Sequence, residues 1–88
     1  MSATKLQMAE EVSTALSKSL PLPNPLVDHF REQAVWDQAI IESLATFARA
    51  ARPLPTDVRA IVEDFLSEPR LSSKVRRRSL YHLKAIPS

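Results

Sequence analysis

Residues 25–51 read PLVDHFREQAVWDQAIIESLATFARAA, and this stretch decides the fold. At 100° per residue, Leu26, Val27, Phe30, Ala34, Trp36, Ile40, Ile41, Leu44, Phe47, Ala48 and Ala51 fall on about half the circumference of a helix. An unbroken helix here would be ~40 Å long. An arc that wide suits a central helix with neighbours on two sides, or a partner chain. Asp37 lies inside the arc, beside Phe30, Ile41 and Leu44 on the wheel. A carboxylate against a core needs a partner, and Arg76, on the apolar side of the last helix, is the candidate. The alternatives are that Asp37 marks where the apolar stripe meets solvent, or where the long helix bends.

Proline punctuates the chain on both sides of this stretch. Pro21-Leu22-Pro23-Asn24-Pro25 precedes it and Pro53-Leu54-Pro55-Thr56 follows it. Each joint ends on an N-cap type residue, Asn24 or Thr56, and Pro25 fits a first helical position. The flanking residues do not match, so the joints read as two independent helix starts rather than a repeat. Pro69 makes a third break, with Ser72 or Ser73 as the next cap. The spacing predicts helices at about 4–19, 25–51, 57–67 and 73–85. In the third, Val58, Ile61, Val62, Phe65 and Leu66 follow the i, i+3, i+4, i+7, i+8 pattern. No segment shows sustained β alternation. The expectation is an all-α single domain over 1–88, a bundle of three to four helices joined by Pro-rich turns.

The chain has 44 % hydrophobic and 25 % charged residues, a globular balance. Glycine is absent, where average usage of about 7 % would give roughly six. Phosphate-cradling loops, dinucleotide fingerprints and nucleophile elbows lean on glycine, so all three are disfavoured. The chain has no cysteine and so offers neither a disulfide nor a thiolate metal site. His29 and His82 are the two histidines, without metal-ligand spacing. Glu10-Glu11 and Glu63-Asp64 are neighbours that diverge by about 100° on a helix and make no acid/base pair. The reading is a protein that is not an enzyme, with no catalytic or metal residues, no cofactor and no small-molecule substrate. No apolar run approaches a membrane span and the N-terminus lacks a signal-peptide core. No membrane association and a cytoplasmic location are therefore expected.

The last twenty residues contain no acidic group but six Lys or Arg: Arg70, Lys74, Arg76, Arg77, Arg78 and Lys84. Residues 1–68 carry six basic and ten acidic groups, a net −4, against a total of +2. On the last helix Lys74, Arg77, Arg78 and Lys84 share an arc of about 120°, with Tyr81 near its middle. Val75, Leu80, Leu83 and Ile86 lie opposite. Residues 57–86 scan as the outline of a helix-turn-helix, although the turn lacks the usual glycine. Leu71-Ser72 with Leu83 and Ile86 resembles the helix opening of tyrosine-recombinase core-binding domains. There an aromatic usually stands where this chain has Ser79, and the resemblance carries over no residue role. Arg76-Arg77-Arg78-Ser79 also matches a basophilic kinase site.

Two functions are expected from these features. The first is a helical interaction protein, an adaptor or regulatory subunit that meets a protein partner or itself as a homodimer. Its interface candidates are Phe30, Trp36, Ile40 and Phe47. The second is a DNA- or RNA-binding regulator whose contacts are Lys74, Arg77, Arg78, Tyr81 and Lys84.

Overall fold

A computed structural model describes residues 5–88, with side chains from Gln7 onward. The described chain is all helical. The helices are α1 (Lys5–Lys18), α2 (Pro25–Glu32), α3 (Trp36–Ala50), α4 (Thr56–Leu66) and α5 (Ser73–Ala85). The expected start of the first helix at Thr4 lies outside the described residues. No described helix is long and apolar enough to cross a membrane.

The expected single helix over 25–51 is two helices. Ala34 takes φ 57°, in the left-handed region, between them. The Ala34 N–H donates to the Arg31 carbonyl at 3.0 Å and the Val35 N–H to the Phe30 carbonyl at 2.8 Å. This is a Schellman closure, formed without the usual glycine. An unbroken helix of ~40 Å would outrun the molecule, whose longest extent is 35 Å. The break lets α2 double back along α3, so the broad arc becomes two faces that cover each other. Asp37 then lies in the first turn of α3, where a carboxylate complements the helix dipole. Its place follows from the bend, not from a pairing with Arg76.

α3 is the centre of the molecule, with α1, α2 and α5 packed on it and α4 packed on α1. The core joins Val12 and Leu16 of α1, Ile40, Leu44 and Phe47 of α3, Val62 and Phe65 of α4, and Leu83 of α5. Removing Phe47 or Phe65 to alanine costs about 3–5 kcal/mol at such positions, against a total stability of about 5–15 kcal/mol for domains in general.

The two proline joints differ in role. Leu54 is buried in the core, whereas Leu22 stays 54 % exposed. Asn24 caps α2 as expected: its Oδ1 accepts from the Leu26 N–H at 3.0 Å. Its Nδ2 also donates to Thr46 Oγ1 at 2.8 Å and to Glu42 Oε1 at 3.2 Å, fastening the start of α2 to α3. Thr56 makes no such cap. α4 begins at Thr56 itself, behind Pro55, without a side-chain cap bond. Ser72 is the cap of α5, accepting from the Val75 N–H at 3.4 Å. Arg31 ties α2 to α1 by donating to Ser17 Oγ at 3.2 Å and Thr14 Oγ1 at 3.1 Å.

Candidate functional site

α5 lies on α3 with its apolar side inward. Val75, Ser79, Leu83 and Ile86 are buried and Leu80 is half-buried. α3, not α4, is the main support of α5, so residues 57–86 do not form a helix-turn-helix pair.

The three consecutive arginines of α5 have separate fates. Arg76 turns inward and donates from Nε to the Leu66 carbonyl at 3.0 Å and from Nη2 to the Glu68 carbonyl at 2.6 Å. It thereby satisfies the Leu66 carbonyl at the end of α4, which a helix end otherwise leaves unpaired, and adds a second bond to the Glu68 carbonyl, which also accepts from the Leu71 N–H at 3.1 Å. The expected Asp37–Arg76 pair is replaced by this cap. Arg77 and Arg78 are exposed.

Lys74, Arg77, Arg78, Tyr81 and Lys84 all reach solvent. The ion pairs among the described residues are Arg49–Glu42 at 3.5 Å, Arg59–Glu63 at 4.0 Å and Arg70–Glu68 at 3.1 Å. None involves a cation of the α5 stripe, and none of those cations hydrogen-bonds to a described residue. Lys74, Arg77 and Arg78 also stand in the first half of α5, where the helix dipole disfavours positive charge.

Lys74, Arg77, Arg78 and Tyr81 line one open groove together with His82 and Ile41 of α3, about 570 Å³ in volume. Lys84 continues the stripe outside it. Periodicity on α5 alone does not reveal Ile41, which enters from another helix. The His82 ring meets Tyr81 edge-on, with centroids 5.3 Å apart and planes at 81°. Burial pushes the His82 pKa below its ordinary 6.5; Glu42 works against that shift and Arg49 adds to it. These two α3 residues belong to the polar network of Asn24 and Thr46, in which Thr46 Oγ1 donates to the Glu42 carbonyl at 2.9 Å.

The protein-interface candidates divide. Ile40 and Phe47 are only 0 and 2 % exposed, enclosed by this chain's own helices, and offer no surface to a partner. Phe30 and Trp36 are half-buried. Sequence reading placed all four on one arc because it missed the break at Ala34. Ser79, the acceptor of the kinase-like motif, is fully buried and closed to modification in this fold.

A second open groove lies between α1 and α4, lined by Glu10, Glu11, Lys18, Asp57 and Ile61 among others. It mixes both charge signs. Among the described residues, no three His, Asp or Glu gather as a metal site would require.

Comparison with known proteins finds no matching family model, no matching characterised protein and no matching solved structure.

Proposed function

We propose that this chain is a non-catalytic helical domain that binds nucleic acid through the outer face of α5. The observation that carries the reading is the stripe of four exposed cations, without an ion-pair partner among the described residues, around an exposed tyrosine. Lysine and arginine neutralise backbone phosphates, and arginine does so with two hydrogen bonds at once. From Lys74 to Lys84 the stripe runs ~15 Å along the helix. Four cations on that length can neutralise at most about four phosphates.

Fluorescence anisotropy with a labelled mixed-sequence oligonucleotide tests the reading. Neutralising four phosphates gives a log–log salt slope of about −3 to −3.6, so affinity falls about 100-fold between ~50 and ~200 mM salt. Arg77→Ala with Arg78→Ala halves that slope and leaves thermal unfolding unchanged. No binding at the lowest salt used removes the reading.

A protein partner is the second reading, narrowed from the earlier candidates to α2 and its flanks. Leu22 and Leu26 are 54 and 44 % exposed, near half-buried Phe30 and Trp36 in sequence. Exposed apolar residues of this kind mark interfaces when they are contiguous. A mass in solution of twice 9.9 kDa, returned to one by Leu26→Ser, is the outcome that favours it.

A further inference from the structure

We infer that the α5 site takes single-stranded nucleic acid, with Tyr81 as a platform on which an unpaired base stacks. This rests on the nucleic-acid reading above and deepens it.

Tyr81 is 74 % exposed, the most exposed large side chain of the described chain that carries an apolar body. Tyrosine is ordinarily half-buried or more, and here α5 has an apolar side available for it. The ring instead stands among the cations. Arg77 and Arg78 precede it by four and three residues and Lys84 follows by three, so they flank it along the helix. The edge contact with His82, 5.3 Å between centroids, supports the ring at its base. Its hydroxyl makes no hydrogen bond to a described residue. Beside the ring the groove is lined by Ile41 and His82 together with Lys74, Arg77 and Arg78.

In a duplex each base face is covered by its neighbours, and an aromatic side chain reaches it only when the base is unpaired. Proteins that bind single strands without sequence preference combine a cationic track with aromatic platforms. α5 places both on one face. The helix also contains no Asn, Gln, Asp or Glu, the readers of adenine and cytosine edges in the major groove, whereas its arginines and lysines are of the kind that reads guanine.

The test uses the full chain at low salt and four probes. These are labelled oligo-dT of about 16 nucleotides, the same length of oligo-U, an abasic strand of equal charge, and the dT strand paired with oligo-dA. The expected order is oligo-dT and oligo-U bound more tightly than the abasic strand and the duplex. Tyr81→Ala weakens oligo-dT binding about tenfold, leaves the abasic strand and the duplex unchanged, and keeps the wild-type melting temperature. Tyr81→Phe retains full affinity. If Tyr81→Ala weakens all four probes alike, or none, the stacking platform is refuted while nucleic-acid binding stands. Equal affinity for oligo-dT and its duplex refutes the single-strand preference. No binding by the wild-type chain removes this inference together with the reading beneath it.

Discussion

Two alanines hold conformations that usually fall to glycine. Ala34 and Ala51 have φ of 57° and 53°, and each closes a helix by the same pair of bonds. At the second closure the Ala51 N–H donates to the Ala48 carbonyl at 3.1 Å and the Arg52 N–H to the Phe47 carbonyl at 3.2 Å. The β-carbon costs about 1–2 kcal/mol in this region, while glycine loses somewhat more freedom on folding. Ala34→Gly and Ala51→Gly are each expected to stabilise by about 0.5–1 kcal/mol. In a domain of this size that raises the melting temperature by about 2–8 °C, and the two gains add because the sites share no partners. A fall in melting temperature for both variants would contradict the left-handed closures. Ser13 and Ser79 show a different residue-scale tension: both hydroxyls are buried without a hydrogen-bond partner among the described residues. Ser79→Ala removes that unpaired group and is expected to be neutral or stabilising by up to about 1 kcal/mol in chemical denaturation.

At the scale of the element, α5 separates stability from binding within three consecutive residues. Arg76 holds the end of α4 with two charge-assisted bonds. Arg76→Met removes both and leaves the Leu66 carbonyl unpaired, while the Glu68 carbonyl keeps its bond from the Leu71 N–H, a cost of about 1–2 kcal/mol in urea unfolding. Arg77→Ala, at an exposed position, is expected to stay within about 0.5 kcal/mol of wild type. Equal destabilisation by the two variants would show that Arg76 is no cap. The inward turn of Arg76 was legible from the helical wheel, as were α1 beyond its start, α4 to within a residue, α5 and the exposed stripe. Its partner was not, because a backbone carbonyl at another helix end has no sequence signature. The break at Ala34 was illegible for a related reason. Without Gly or Pro between 26 and 50, local propensity favours continuing the helix, and only burial of α2 against α3 selects the turn. Ile40 and Phe47 were misplaced by that same omission, since an arc that folds onto itself needs no outside partner.

Over the whole molecule, charge is segregated along the sequence. Of the six cations after Glu68, Arg70 is paired with Glu68 and Arg76 is spent on carbonyls. The remaining four face out from α5, while the α1–α4 groove mixes Glu10, Glu11 and Asp57 with Lys18. His82 sits at the seam between α5 and α3 and makes global stability sensitive to pH. Burial depresses its pKa in the folded chain below the ordinary 6.5. Above 6.5 the ring is neutral folded and unfolded alike, so its contribution is fully present. As the pH falls below 6.5, the unfolded chain takes up a proton first, and stability is lost through the folded pKa. The charged groups facing the ring are Glu42 and Arg49 of α3. The attraction of Glu42 softens the loss and the repulsion of Arg49 deepens it. His82→Gln is therefore expected to flatten the fall in melting temperature between about pH 7.5 and 5.5. Glu42→Gln should steepen it, after correction for its lost bonds to Asn24 and Arg49 as measured at pH 7.5. His29 is exposed on α2 and unchanged in both variants, so the difference from wild type isolates His82. Parallel melting curves for wild type and His82→Gln across that range would show that proton uptake at the α3–α5 seam does not govern the acid response.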